Sequence, residues 1–237
     1  MGSAQELVFY QISISHFCEK IHWALDFKGV PYRPVSVNPF TRRELGEISE
    51  RKQVPVIRHG DRVVCDSSEI VKYLDDTFPQ SPLIPPKEPE RRDCLEIERI
   101  ADREIGPAVR RVAYEAVFED RAMFARLMLP KKGIGRILNP LRRPMIRRML
   151  KWHFGITRKA LTADKSKLGR LLTELQARLG GRSHFVGESL TIADIAVASL
   201  MNPLEIVKDF SAADDYSAIF TWMRSLRARH GRKGWKQ

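Results

Sequence analysis

The stretch LVFYQISISHFCEKIHWALDFKG, residues 7–29, changes from a strand pattern to a helix pattern within one short turn. Residues 7–12 are mostly β-branched, aromatic or aliphatic, which predicts a buried strand. From position 16 onward, apolar residues follow helical spacing on one stripe: Phe17, Ile21, Ala24 and Leu25. Gly29 then ends the helix. A strand that leads directly into a helix is typical of a βαβ unit.

The segments that follow continue the alternation of strands and helices. They are a strand at 32–37, a polar and exposed helix at 41–50, two short strands at 55–57 and 62–65 joined by a turn, and a helix at 67–78. The order β-α-β-α-β-β-α predicts a small three-layer α/β domain over residues 1–79.

A proline-rich segment separates this domain from the rest of the chain. Four prolines lie between positions 79 and 86, so neither a helix nor a strand continues there, and residues 80–88 are predicted to be a linker. Residues 89–237 show helical spacing throughout, which predicts an all-α domain. The dipeptide Gly106-Pro107 is expected to kink or divide its first long helix.

Four motifs, taken in order, connect the chain to a known family. They are Ser15-His16-Phe17-Cys18 at the strand-to-helix turn, Gln53-Val54-Pro55, Asp66-Ser67, and Thr191-Ile192-Ala193-Asp194 at a helix start. With an α/β domain followed by helices, the chain resembles the cytosolic glutathione transferases over residues 7–200. The resemblance implies a thioredoxin-like N-terminal domain, an all-helical C-terminal domain, and a serine-type, bacterial-like member whose class stays open.

The resemblance also implies a glutathione site. The residues it assigns to glutathione are Phe17, Lys52, Gln53, Val54, Pro55, Asp66 and Ser67. A cis bond before Pro55 directs the backbone of Val54 at the cysteinyl part of the tripeptide. Asp66 meets the γ-glutamyl amine, while Ser67 and the helix start meet the γ-glutamyl carboxylate. Apart from the resemblance, Val54-Pro55 also fits the start of an edge strand, and Asp66-Ser67 also fits a plain helix cap.

The strand-to-helix turn offers two candidate catalytic residues. Ser15 stands where glutaredoxin-like relatives hold a reactive cysteine, and its hydroxyl can donate a hydrogen bond to a glutathione thiolate. Cys18 lies in the first helical turn, where a thiol can be acidified, although a cysteine there also packs well as a small apolar residue.

Each candidate predicts a different activity. Ser15 predicts a glutathione transferase that conjugates the thiolate to a small apolar electrophile, with Tyr114 and Phe118 lining the second-substrate pocket. Cys18 predicts a glutathione-dependent thiol reductase. A third alternative is a non-catalytic protein that binds glutathione or other ligands, or that docks on membranes.

The net charge of +12 originates in one segment. Residues 121–159 contain twelve Lys or Arg and no Asp or Glu, so the remainder of the chain is balanced. This basic segment looks like an insertion in the helical domain. Because it mixes basic with apolar and aromatic residues, it fits a solvated helix face that attracts anionic compounds, and also an anionic membrane surface. A nucleic-acid partner is disfavoured, since the excess charge is confined to one segment.

The three cysteines, Cys18, Cys65 and Cys94, show neither metal-ligand spacing nor a disulfide framework. No metal is therefore expected, and a cytoplasmic location, with or without a peripheral membrane contact, is the expectation because no secretory signal or membrane span is evident. The family resemblance implies glutathione as the co-substrate, a homodimer, and a role in detoxification.

Overall fold

A computed structural model describes residues 6–46, 48–49, 52–128 and 139–230, with the side chains of all but 139–142. Within these residues, four strands form one sheet: β1 Leu7–Gln11, β2 Arg33–Ser36, β3 Val56–His59 and β4 Arg62–Cys65. The strand order is β2-β1-β3-β4, with β1 parallel to β2 and antiparallel to β3, and β3 antiparallel to β4. The predicted parallel βαβ unit followed by a hairpin is confirmed.

Two helices accompany the sheet, and local signals set their ends. Helix α1 spans His16–Phe27, and Gly29 follows it in the left-handed region at φ 64°. Helix α2 spans Ser67–Thr77 and follows the hairpin. Both bury their apolar stripes, because positions such as Ile21 and Leu74 are 0% exposed.

The predicted helix at 41–50 is wrong. Only a 3-10 turn at Arg43–Leu45 forms, and positions 47 and 50 lie outside the described residues. The Asn38 side chain accepts hydrogen bonds from two of the following backbone N–H groups, which offers the chain a turn in place of a helix. The predicted exposure holds at Thr41 and Arg43 but fails at Leu45, which is fully buried in the apolar cluster of the sheet.

The remaining elements are helical. They are α3 Glu90–Ile100, α4 Gly106–Glu119, α5 Arg121–Met128, α6 Asn139–His153, α7 Arg158–Leu179, α8 Ile192–Met201, α9 Lys208–Ser211 and α10 Ser217–Arg229. A π-helical segment, Ala101–Ile105, lies between α3 and α4, so the predicted interruption at Gly106-Pro107 is confirmed. The predicted helix start at Thr191 is confirmed too: α8 begins at Ile192, and the Thr191 N–H donates to the Asp194 carboxylate at 2.9 Å. Among the described helices, none has the length and apolar character required to cross a membrane.

The chain divides into two compact units. The first, called the sheet unit, runs up to Asp102 and includes His184–Leu200; the second, called the helical unit, comprises Arg103–Ser183 and the chain from Met201 onward. The predicted linker at 80–88 lies inside the sheet unit, where the Leu83 carbonyl accepts the N–H of Ile192 at 2.9 Å. The division by packing therefore differs from the predicted domains 1–79 and 89–237.

Candidate active site

Strand register brings the predicted glutathione motifs to one edge of the sheet. Tyr10 of β1 pairs with Val56 of β3, and Val56 pairs with Cys65 of β4. The turn after β1, the segment before β3 and the segment after β4 therefore all leave the sheet at the same edge. These three segments carry Ser15, Pro55 and Asp66, respectively.

Ser15 is the N-cap of α1. Its backbone is extended at φ −82° and ψ 115°, and its Oγ accepts a hydrogen bond from the N–H of Cys18 at 3.3 Å. That bond uses an oxygen lone pair and leaves the hydroxyl proton available for donation. The side chain is half-buried, and it lies at the positive end of the helix dipole. The position suits a donor to an anionic sulfur.

Cys18 has a different environment. The residue is 1% exposed, so its thiol is buried in the sheet unit rather than presented at the turn. His16 is also buried, and its ring lies 4.8 Å from that of the half-buried Phe17. Of the residues with a described position, no group of three His, Cys, Asp or Glu is arranged to hold a metal.

The segment before β3 exposes two polar side chains and buries one proline. The Val54–Pro55 bond is cis, and Pro55 is buried while Val54 is half-buried against the apolar cluster of the sheet. Lys52 and Gln53 are exposed. The Lys52 carbonyl accepts a hydrogen bond from Nη1 of Arg42 at 2.9 Å, which ties this segment to the preceding loop.

Asp66 holds an unusual backbone conformation. Its φ of 76° and ψ of 134° are sparsely populated by residues other than glycine, and such a conformation costs about 1–3 kcal/mol. Its carboxylate caps α2 by accepting the N–H of Ser68 at 2.9 Å, and the side chain is exposed. A strained and exposed carboxylate next to a helix start is a pattern found at binding sites.

Ser67 is directed inward. It is 4% exposed, and its hydroxyl donates to Oδ2 of Asp102 at 3.1 Å. Its backbone N–H at the start of α2, rather than its hydroxyl, is therefore the group suited to an incoming carboxylate.

A buried ionic group accepts hydrogen bonds from the hydroxyls of Ser67 and Ser68, and the sequence analysis did not predict it. Lys20 is 0% exposed, and its Nζ lies 2.6 Å from Oε1 of Glu98 and 2.7 Å from Oδ2 of Asp102. The Ser68 hydroxyl donates to the same two carboxylates at 2.7 and 3.0 Å. We call Lys20, Glu98, Asp102 and the hydroxyls of Ser67 and Ser68 the Lys20 cluster. The sequence held one signal for this cluster: Lys20 directly precedes Ile21, a residue of the apolar stripe of α1.

Burial dominates the electrostatics of Asp102. It raises the pKa of the Asp102 carboxyl above its ordinary value, and the attraction of the neighbouring Lys20 ammonium offsets only part of that rise. Oδ1 of Asp102 is buried, and among the described residues it has no hydrogen-bond partner. The cluster therefore leaves one buried acceptor unpaired among the described residues.

Tyr114 and Phe118, predicted for the second-substrate pocket, lie on α4 in the helical unit. Their rings stack at 5.9 Å, and the Tyr114 ring also stacks on that of Phe154 at 5.2 Å. Tyr114 is half-buried, whereas Phe118 is 0% exposed. Tyr114 is the member of the pair with surface that a substrate can contact.

Two parts of the chain are similar to known protein domains. A model of the glutathione S-transferase N-terminal domain matches residues 9–82, and a model of the glutathione S-transferase C-terminal domain matches residues 138–230. A glutathione S-transferase of Triticum aestivum is 35% identical over 42% of this chain and 47% of its own length, so the chain spans about half of that relative. Glutathione S-transferase 1 of Dianthus caryophyllus is 27% identical over 72% of this chain and 75% of its own length.

Solved structures share the fold. A Methylobacterium radiotolerans glutathione S-transferase in complex with glutathione sulfonate superposes with a TM-score of 0.66 at 19% identity, covering 98% of this chain and 93% of that protein. The predicted fold class, a thioredoxin-like domain followed by an all-helical domain, is confirmed. The chain therefore belongs to the glutathione S-transferase family.

Proposed function

We propose that this protein is a glutathione transferase that binds glutathione at the sheet edge and stabilises its thiolate for attack on a small apolar electrophile. One observation carries the proposal: the half-buried hydroxyl of Ser15 caps α1 through its oxygen and keeps its proton for donation. Membership of the family, and relatives named glutathione S-transferase, support the same activity.

One hydroxyl is enough to ionise the thiol. A free thiol with a pKa near ~8.5 is only a few per cent ionised at neutral pH, and lowering that pKa by ~2 units requires about 2.7 kcal/mol of preference for the thiolate. A hydrogen bond to a charged group contributes roughly 1.5–3 kcal/mol. The dipole of α1 at Ser15 adds to it. Formation of the conjugate then depends on holding thiolate and electrophile together.

Glutathione fits the remaining groups at this edge. The cysteinyl part pairs with the backbone of Val54, and the γ-glutamyl carboxylate meets the N–H groups at the start of α2. The γ-glutamyl ammonium meets the exposed carboxylate of Asp66. Lys52 and Gln53 are exposed beside them and supply the contacts for the other carboxylate.

Burial of Cys18 weighs against the reductase alternative. Disulfide exchange requires an accessible thiolate, and Cys18 is 1% exposed. A cysteine packed in this way acts as a small apolar residue.

The decisive experiment separates the two side chains of the turn. We expect Ser15→Ala to lower kcat/KM for conjugation of an aryl halide by about ten- to a hundredfold, because the thiolate loses one charged hydrogen bond. The ultraviolet absorbance of the thiolate should show a raised pKa for bound glutathione. Ser15→Thr, which keeps both hydroxyl and cap, should retain activity, and so should Cys18→Ala.

Loss of the helix cap has its own control. Thr157 caps α7 by accepting the N–H of Ala160 at 3.1 Å, so Thr157→Ala removes a comparable cap in the helical unit. Equal losses of activity in Ser15→Ala and Thr157→Ala would reduce the role of Ser15 to stability. Absence of glutathione binding at millimolar concentration by calorimetry would overturn the proposal. Binding without conjugation would select the non-catalytic alternative.

The proposal extends to substrate pocket, assembly and location. We propose that Tyr114, stacked on the buried Phe118, contacts the electrophile, so that Tyr114→Ala raises KM for the aryl halide and leaves the glutathione Kd unchanged.

We also propose a cytoplasmic homodimer that detoxifies electrophiles, in line with the family. Light scattering at several protein concentrations measures the assembly, and a monomer at all of them would contradict it.

A further inference from the structure

Helix α6 carries an apolar stripe on its outward face. Met145, Met149 and Trp152 are 66%, 43% and 84% exposed, and each is a large hydrophobic side chain. Their spacing of four and three residues places them above one another on the same side of the helix. We call these three residues the α6 stripe. Contiguous exposed apolar surface of this kind marks an interaction site more often than scattered single residues do.

The opposite face of α6 is already occupied. Ile146 is 8% exposed, the Arg143 guanidinium donates to the carbonyl of Phe118, and Lys151 Nζ lies 2.6 Å from Oε2 of Glu115. These contacts set the rotation of the helix in the helical unit. The α6 stripe therefore faces outward because the buried Ile146 and the bonded Arg143 and Lys151 lie on the opposite side of the helix. Rotation of α6 to bury the stripe would break those contacts.

Exposed basic residues lie on α6 beside the stripe and at the start of the next helix. Arg148 lies on the same outward side, three residues from Met145 and four from Trp152, and it is exposed. Arg158 and Lys159 are exposed at the start of the next helix, α7. In the described part of the chain, no ion pair is formed by these three basic residues. Residues 121–159 contain no acidic residue, and ten of these positions, 129–138, lie outside the described residues.

We propose that the outward face of α6 docks on an anionic phospholipid surface. The stripe inserts at the boundary between headgroups and acyl chains, where tryptophan is enriched, while Arg148 and its basic neighbours contact lipid phosphates. A nucleic acid offers phosphates without an apolar layer for the three side chains. A second copy of the same face would bring like charges together. An anionic bilayer matches both the apolar and the basic parts.

Sedimentation with vesicles tests the proposal. The whole protein is mixed with vesicles of phosphatidylcholine alone or with added phosphatidylserine, at low and high salt. We expect binding to the phosphatidylserine vesicles, little binding to the neutral ones, and a strong decrease with salt. Trp152→Ser should lower the partition coefficient about tenfold, because a large apolar anchor is lost. Arg148→Gln should lower it about fivefold.

Matched controls keep the result specific. Phe40 is another large hydrophobic residue, 49% exposed and located in the sheet unit, so Phe40→Ser should leave the partition unchanged. Unchanged circular dichroism shows that each variant is folded. Equal binding by wild type and Trp152→Ser would overturn the proposal, and so would equal binding to neutral and anionic vesicles. A stripe-dependent dimer without vesicles, or tighter binding to duplex DNA than to vesicles, would overturn it as well.

Discussion

Two groups of basic side chains in this protein have opposite surroundings. In the Lys20 cluster, the ammonium is 0% exposed and lies within 2.7 Å of the carboxylates of both Glu98 and Asp102. On the outward face of α6, Arg148 is exposed next to an apolar stripe. The buried ammonium is paired with carboxylates of its own chain. The exposed one keeps its charge available for a partner.

The difference follows from desolvation. An ion removed from water loses several kcal/mol of hydration, and only close opposite charges with additional hydrogen bonds offset that loss. The Ser67 and Ser68 hydroxyls supply such bonds in the Lys20 cluster. An exposed arginine retains its hydration, so it contributes little to folding and much to long-range attraction.

Breaking the buried cluster should have the largest effect. We expect Lys20→Met to lower the free energy of unfolding by about 3–5 kcal/mol, because two carboxylates stay buried without their cation. The measurement is urea unfolding at neutral pH. Lys72→Met is the matched control, since Lys72 pairs with Glu69 at 2.8 Å while both side chains are more than half exposed. Equal changes in the two variants would contradict the contrast.

An ion pair of intermediate burial should give an intermediate effect. In the helical unit, Arg111 binds Asp164 with two parallel hydrogen bonds, one from Nη2 at 2.8 Å, and the side chains are 28% and 6% exposed. We expect Arg111→Met to lower the free energy of unfolding by about 1–3 kcal/mol, because solvent reaches part of the guanidinium. A loss as large as that of Lys20→Met in the same urea experiment would show that the loss of unfolding free energy does not depend on how deeply the ion pair is buried.

The Lys20 cluster should also impose a pH dependence on stability. Burial raises the folded-state pKa of Asp102, so the folded protein holds this proton more tightly than the unfolded chain. The stabilising contribution is complete below the unfolded pKa, about 3.9, and is lost as pH rises through the folded value. Asp102→Asn should therefore gain stability relative to wild type as pH increases over that window. A difference that does not change with pH, measured by urea unfolding in a series of buffers, would contradict this.

Substitution on the outward face of α6 should have the smallest effect on stability. Arg148→Gln removes an exposed charge, so the urea midpoint should stay at its wild-type value. The same variant is expected to bind anionic vesicles about fivefold more weakly. A lowered midpoint would show that Arg148 supports the fold rather than a partner.

Much of the sheet edge was predictable because its signals are local. Asp66 directly precedes the helix that it caps, and Gly29 follows the helix that it ends. The Pro55 motif and the Ser15 turn were also visible as short patterns. The helix predicted at 41–50 failed because Asn38 forms a turn with its neighbours and Leu45 is drawn into a core that the local pattern does not show.

The sequence by itself determined the order of strands and helices, the candidate motifs and the location of the basic excess. The tertiary structure decided that Cys18 is buried, that Ser67 donates inward, and that Lys20 meets a carboxylate 78 positions away. It also decided which side of α6 remains exposed. The physical reason is the distance along the sequence over which each kind of interaction acts. Caps and periodicity depend on residues within about one helical turn, whereas burial and ion pairing depend on residues that only the folded chain brings together.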